Sequence, residues 1–290
     1  MTFINKDPSN ELYKKSIPYI GNKSKLLPQI LPYFPKNINN FYEPFTGSAT
    51  IPLNIQANHY HLNDINSYVM GLHEYIMDYF DIEDFITLLN TEIDNRGLSK
   101  TNQEAYLELR ADYNRLNRPH LFFLLICYTF NSQIRFNSKK QFNNPFGKRC
   151  FNESIESNLR VYHQHFFDKD TFFTTHSFET FLGREYKEND FIYLGPPYLI
   201  SNATYNGECK MGGWGTQNEI SLYNTLDMIN PSVKWCLSNV IENKGVTNEI
   251  LLEWSKKYVV IDLEMDYNNS YASRKKTAKY KEVLIMNYEV

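Results

Sequence analysis

Short apolar runs punctuate the chain, and between the second and third of them the periodicity changes. Phe41–Glu43, Tyr60–Asn63, Thr171–Thr175, Phe191–Leu194, Trp235–Ser238, Val259–Leu263 and Glu282–Met286 are brief, rich in aromatic and aliphatic residues, and read as strands. From Ile65 to Phe130 the apolar positions instead recur at three-and-four spacing, through Leu72, Tyr75, Ile76 and Tyr79, then Phe85, Leu88 and Leu89, then Tyr106, Leu109 and Tyr113. That stretch predicts helices with no strand among them, ending in the apolar Leu121–Tyr128, a buried helix. A further helix is expected over Lys23–Tyr33, where Leu26, Leu27, Ile30 and Leu31 share a face. Alternation around Ser138–Lys140 suggests a β-hairpin. Seven strands with helices between them define an α/β chain.

The strand exits carry the chemistry. Phe191–Leu194 stops at Gly195, Pro196, Pro197 and Tyr198; the two prolines fix φ and remove donors, which leaves carbonyls for another partner beside an aromatic face. In an open α/β sheet ligands bind at this edge, and these groups suit a planar, amino-bearing ligand. Taken alone, an ordinary strand exit with a surface tyrosine carries more weight. The first strand leads through Pro44, Phe45, Thr46, Gly47, Ser48, Ala49 and Thr50 into an expected helix ending near Asn58, and the second closes on Asp64. A glycine that admits a ligand to the backbone, followed by an acid suited to a ribose diol, fits an adenosine-containing cofactor. NAD, FAD and S-adenosylmethionine are not separated by these residues. Upstream, the loop Pro18–Asn22 and Lys23 precede a helix and could hold an anionic group.

Composition changes the picture only locally. The 290 residues carry a formal charge of -3, which announces no polyanion partner. Between Gln133 and Arg160, however, Arg135, Lys139, Lys140, Lys148, Arg149 and Arg160 face only Glu153 and Glu156. With Asn137, Gln141 and several aromatics this window has the residue types that read base edges and hold phosphates. A second basic patch runs through Arg274, Lys275 and Lys276. The four cysteines form no C-x-x-C pair and are expected as free thiols. His59 with His61, and His163 with His165, lack a ligand cluster, so no metal is expected. Without a signal-like N-terminus or a long apolar run, a cytoplasmic protein with no membrane contact is expected.

Taken in order, these motifs resemble the D12 class of DNA adenine N6-methyltransferases, the Dam-like enzymes, over nearly the whole chain. Pro-Tyr-Ile-Gly-Asn-Lys from Pro18 resembles the family's N-terminal cofactor motif, Glu-Pro-Phe-Thr-Gly from Glu43 its cofactor loop, and Asn63–Asp64 its ribose motif. Arg135–Gly147 is similar to the hairpin of its target-recognition domain, and Arg274–Lys276 has a counterpart near the C-terminus. The resemblance implies a Rossmann-like, seven-stranded S-adenosylmethionine-dependent methyltransferase sheet formed by residues 1–75 and 165–290. It also implies an inserted, mostly helical DNA-binding domain over 76–164 that carries the hairpin. By the same resemblance Tyr19, Lys23, Phe45, Gly47, Asp64 and Gly195 bind the cofactor, and Arg135, Asn137, Lys139, Lys140, Lys148, Arg149, Arg274, Lys275 and Lys276 contact double-stranded DNA. A restriction-modification or Dam-like system, a cognate endonuclease as genetic partner, and a monomer or dimer are implied with it.

In that family an Asp-Pro-Pro-Tyr motif receives a flipped adenine: the tyrosine stacks on the ring while the aspartate and the first proline's carbonyl accept from the N6 amino group. Pro196, Pro197 and Tyr198 match it, but position 195 is glycine. Ala49 and Ser177 are smaller departures, standing where relatives often have glycine and an acid. Loss of such an electrostatic stabiliser costs about 2–4 kcal/mol, so an impaired or inactive copy is expected. The glycine is accounted for by a naturally weakened enzyme, by a substituted copy of an active one, or by rescue from another acid. The isolated loss favours the substituted copy. A non-catalytic methyltransferase-like DNA-binding protein is the chief alternative; an oxidoreductase or an RNA or protein N-methyltransferase stands further off.

Overall fold

In the computed structural model the described residues are 13–19, 22–200, 213–264 and 280–289. The first half contains α1 (Leu27–Ile30), β1 (Asn40–Glu43), β2 (His59–Asn63), α2 (Ser67–Met77), α3 (Ile82–Arg96), α4 (Gln103–Leu116), α5 (Pro119–Tyr128) and α6 (Glu153–Phe166). Then follow β3 (Asp170–Thr174), α7 (Phe178–Leu182), β4 (Phe191–Leu194), α8 (Thr216–Ile229), β5 (Lys234–Asn243), β6 (Val246–Thr247), α9 (Glu249–Ser255), β7 (Val259–Leu263) and β8 (Tyr280–Met286). Each of the seven expected strands is present, and the two-residue β6 joins them as a short partner of β5.

The sheet order is β3-β2-β1-β4-β5-β8-β7. β3, β2, β1, β4 and β5 are parallel to their neighbours, whereas β8 runs antiparallel between β5 and β7. Strand order therefore reverses between β1 and β4, where an open α/β sheet leaves a crevice at the strands' carboxyl ends. Alternation along the central strands divides the core. Phe191, Tyr193, Cys236, Leu284 and Met286 join the cluster covered by α1 to α6, while Ile192, Leu194, Trp235, Leu237, Val283 and Ile285 join the one covered by α7, α8 and α9. Both faces are buried, which explains why these strands read as continuous apolar runs.

Between β2 and β3 the chain is helical, as its spacing predicts, and its helices begin at good caps. Asn66, Asp81, Asn102 and Asn152 each accept a backbone N–H in the first turn of α2, α3, α4 and α6. Leu121–Tyr128 is fully buried within α5. Two expected helices are much shorter. Over Lys23–Tyr33 only Leu27–Ile30 is α-helical and Leu31–Tyr33 forms a 3-10 turn, because Pro28 and Pro32 each sit at a helical start and end the preceding ladder. After the Gly47 turn there is a single 3-10 turn, Pro52–Asn54, in place of a helix reaching Asn58; Ala49 turns left-handed at φ 57° and Pro52 opens the next turn. No helix of the described residues is long and apolar enough to cross a membrane.

Candidate active site

The carboxyl ends of β1 and β2 place the first part of the site. Gly47 adopts φ +50°, a left-handed conformation that suits glycine, and its N–H donates to Asp64 Oδ2 at 2.9 Å. The other Asp64 oxygen accepts from the Asn66 N–H at 2.9 Å, immediately before α2. Burial raises the Asp64 carboxyl above its ordinary range and these two donors pull it back. A β-carbon at Gly47 would lie 3.1 Å from Tyr19 Cε1, so the Tyr19 ring rests against this turn and glycine permits the approach. Behind the turn, the buried His73 donates from Nε2 to the Gly47 carbonyl at 2.7 Å and accepts the Tyr162 hydroxyl at Nδ1 at 2.6 Å. A carbonyl can only accept, so these contacts fix the neutral Nε2–H tautomer. Burial holds the imidazole down at about 4.

Glu43, the last residue of β1, is 3% exposed, and its Oε2 has no hydrogen-bond partner among the described residues. Burial, followed by the charge of Asp64, pushes its carboxyl well above the usual range. Phe45 packs at 5.7 Å on Phe178 and edge-on at 5.4 Å to Trp214. Ser177 caps α7, its hydroxyl accepting the Thr180 N–H at 3.3 Å.

The second part of the site lies past β4. A β-carbon at Gly195 would meet Tyr193 Cε1 at 3.5 Å, Tyr193 Oη at 3.6 Å and Lys23 Cε at 3.8 Å, all ordinary contacts. Pro196 is buried, while Pro197 and Tyr198 are partly exposed. The Tyr198 hydroxyl meets Lys23 Nζ and also donates to Glu282 Oε1, and Lys23 donates to the same carboxylate oxygen at 3.0 Å. Tyr19, Gly47 and Asp64 thus form one contact chain, and Lys23, Gly195 and Tyr198 form another. Both stand at the carboxyl ends of β1, β2 and β4, around the switch in strand order.

The basic window resolves into braces and exposed cations. Phe136 and Phe142 form an antiparallel bridge, so residues 137–141 make the hairpin turn expected there. Arg135 donates to the Asn143 side chain at 2.8 Å and to its carbonyl at 2.9 Å, and the Asn137 side chain accepts the N–H groups of Lys139 and Gln141. Both residues brace the hairpin. Lys139 and Lys140 are exposed at its tip and Lys148 and Arg149 beyond its base. Arg160 is held bidentately by Glu83 at 2.6 and 2.8 Å, tying α6 to α3. Phe136 stacks on Tyr68 of α2, with centroids 4.2 Å apart, which anchors the hairpin to the helix that begins beside Asp64. Arg274, Lys275 and Lys276 lie outside the described residues. Among the cysteines, Cys127, Cys150 and Cys236 are free, and Cys209 lies outside the described residues.

Glu43 and Glu282 are the site groups that motif reading passes over. Glu43 opens the cofactor-loop motif, but the lack of a partner for its Oε2 is a property of the fold. Glu282 reads only as the start of a strand, and no local signal marks it.

A crevice of this kind, with a glycine turn, an acid and a Pro-Pro-Tyr exit around it, stands where open α/β sheets bind their ligands. The profile of the D12 class N6 adenine-specific DNA methyltransferases matches residues 19–269, and the chain belongs to that family. It is 37% identical over 289 residues to the Type II methyltransferase M.FokI of Planomicrobium okeanokoites, covering 98% of this chain and 44% of that protein. The modification methylase StsI of Streptococcus sanguinis is 39% identical over 288 residues, covering 97% of this chain and 44% of the relative. The DNA adenine methylase of Escherichia coli (strain K12) is 27% identical over 193 residues, 65% of this chain and 66% of that one. The chain thus spans less than half the length of the first two relatives.

Proposed function

We propose that this chain methylates N6 of adenine in duplex DNA, with S-adenosylmethionine as donor, as part of a restriction-modification or Dam-like system, and that glycine at 195 weakens it. The observation that carries this reading is that two contact chains, Tyr19–Gly47–Asp64 and Gly195–Lys23–Tyr198, stand at the carboxyl ends of β1, β2 and β4 around one switch in strand order. The names of the relatives, modification methylases and adenine methylases, support the reaction and the system; a restriction endonuclease as genetic partner belongs to the same proposal.

The residues present fit the donor. Asp64 offers an acceptor for a ribose diol, Phe45 and Phe178 an aromatic wall, and the buried Glu43, through its free Oε2, an acceptor for a cationic amino group. When bound, S-adenosylmethionine supplies an activated methyl on a sulfonium. The chain's own part is placement: Tyr198 offers a stacking face for a flipped adenine and the Pro196 carbonyl an acceptor for its amino group. Lys139, Lys140, Lys148 and Arg149 contact DNA phosphates, with Arg135 and Asn137 holding the hairpin that presents them. In this reading residues 76–164 form the target-recognition insertion, and residues 1–75 with 165–290 the catalytic domain.

Position 195 has room for a β-carbon and no left-handed backbone to forbid a side chain. The test is methyl transfer to duplex DNA, with calorimetric S-adenosylmethionine binding, for the chain and for Gly195→Asp. Both are expected to bind the donor, and Gly195→Asp to transfer about a hundred- to thousandfold faster. Equal rates would sink the claim of impairment, and absence of donor binding would sink the function. Tight DNA binding indifferent to the donor would favour a non-catalytic DNA-binding protein.

A further inference from the structure

Glu282 lies on β8, far in sequence from every motif of the site, and is 2% exposed. Three donors converge on it. Its Oε1 accepts from Lys23 Nζ at 3.0 Å and from the Tyr198 hydroxyl, and its Oε2 accepts from the Tyr280 hydroxyl at 3.0 Å. A carboxylate taken out of water is tolerated only when its charge and lone pairs are met, and here both are. Such an arrangement is costly to disturb in part, because removing one member strands the others. The Tyr198 hydroxyl is therefore held by a lysine and a carboxylate, each fixed by the other.

A ring that serves as a stacking platform must keep one orientation, and its free end is where that orientation is set. We propose that Glu282 is the positioning residue of Tyr198, and that it shares Lys23 with whatever side chain occupies position 195. This rests on the reading of Tyr198 as the face that receives the base. A β-carbon at 195 would stand 3.8 Å from Lys23 Cε, so a carboxylate there and Glu282 draw on the same ammonium. With glycine at 195, Lys23 is committed to Glu282 and Tyr198. The pocket keeps a carboxylate, displaced from the expected position at the end of β4 to β8, the antiparallel strand on the far side of β5.

The first experiment places 3-fluorotyrosine at position 198 of the full chain and follows its fluorine resonance. Glu282→Gln is expected to shift and broaden that signal, whereas Lys139→Ala leaves it in place. An unmoved signal in Glu282→Gln overturns the proposal, whatever the activity. The second uses single-turnover methyl transfer in the Gly195→Asp protein. There Glu282→Gln and Tyr198→Phe are each expected to slow transfer about a hundredfold with DNA affinity unchanged, the cost of a misplaced group. Acting through the same hydroxyl, the two together are expected to be no slower than either alone. Losses that multiply would overturn it. Should Glu282→Gln fail to fold, a Tyr198→Phe protein that keeps its full rate overturns it as well. A Gly195→Asp protein that binds donor and DNA but transfers nothing defeats the functional reading, and the fluorine result then decides this one by itself.

Discussion

Glu43 and Glu282 are both buried carboxylates at the crevice, and they differ in their company. Glu282 has Lys23; Glu43 has Asp64 nearby and an oxygen with no partner among the described residues. Its folded pKa lies well above the 4.5 of an ordinary glutamate. Below that value folded and unfolded chains both hold the proton; above it the unfolded chain releases the proton and the folded chain resists. Glu43 therefore subtracts stability as pH rises from 4.5 through the folded pKa, at up to about 1.4 kcal/mol per pH unit. Denaturant unfolding should show the parent losing ground to Glu43→Gln between pH 4.5 and 8, and parallel curves would refute this. A cationic ligand group would reverse the preference, so donor binding is expected to release a proton. Calorimetry in buffers of different ionisation enthalpy reads that release, which Glu43→Gln should lack. The sequence shows Glu43 as the last residue of a strand and the first of a loop motif but not its free oxygen, because whether a buried oxygen finds a donor depends on residues distant in the chain.

At the scale of elements, the hairpin converts a loose run of basic residues into a presented surface. Arg135 and Asn137 are consumed in holding it, and Phe136 pins it to Tyr68. Exposed Lys139 and Lys140 are then the cations whose removal should weaken DNA binding without harming the fold. Lys139→Ala/Lys140→Ala is expected to lower the slope of log affinity against log salt by about 2, near 0.9 for each phosphate no longer neutralised. An unchanged slope would remove them from the interface. At the hairpin's base, a β-carbon at Gly147 would fall 2.6 Å from the Thr129 carbonyl oxygen, a backbone atom with little freedom to move. Gly147→Ala is expected to cost about 1–3 kcal/mol and to loosen the hairpin while leaving donor binding in place. Melting curves and gel shifts check this, and an unperturbed melting temperature would contradict it. Much at this scale is legible in the sequence. The strands announce themselves because both faces of the sheet are covered, and the hairpin because its polar tip interrupts apolar positions. The short segments after Lys23 and Gly47 mislead, since Pro28, Pro32, Pro52 and the left-handed Ala49 override a spacing that otherwise reads as helix.

For the whole molecule, elements distant in the chain are joined by histidines that must stay neutral. His73 links α2, α6 and the Gly47 turn; His165 donates from Nε2 to the Pro52 carbonyl at 3.0 Å and accepts from Lys14 Nζ at 3.0 Å; His61 is sandwiched between Tyr42 and Phe172. Burial is the leading cause that lowers each of them to about 4. Above pH 6.5 neither folded nor unfolded chain protonates them, so they cost nothing. Between 6.5 and 4 the unfolded chain takes up protons that the folded chain refuses, so stability falls as pH falls. Each of the two buried imidazoles contributes up to about 1.4 kcal/mol per pH unit, and the partly exposed His61 less. Glu43 and Asp64, both held above their ordinary values, run the other way, while His120, lowered mainly by burial, joins the three histidines, and the histidines prevail. Urea midpoints are therefore expected to drop steadily from pH 6.5 to pH 4.5, and a flat profile would refute the assignment. Function is tied to the same window. Protonated His73 would carry an N–H at Nδ1 facing the Tyr162 hydroxyl, which can turn to accept it, so the contact survives geometrically while the buried charge does not. The chain must then open around α2 and α6, and with them the Gly47 turn. Donor affinity is accordingly expected to fall together with stability on acidification. A donor affinity that holds at pH 5, while the urea midpoint drops, would show that the turn does not depend on His73.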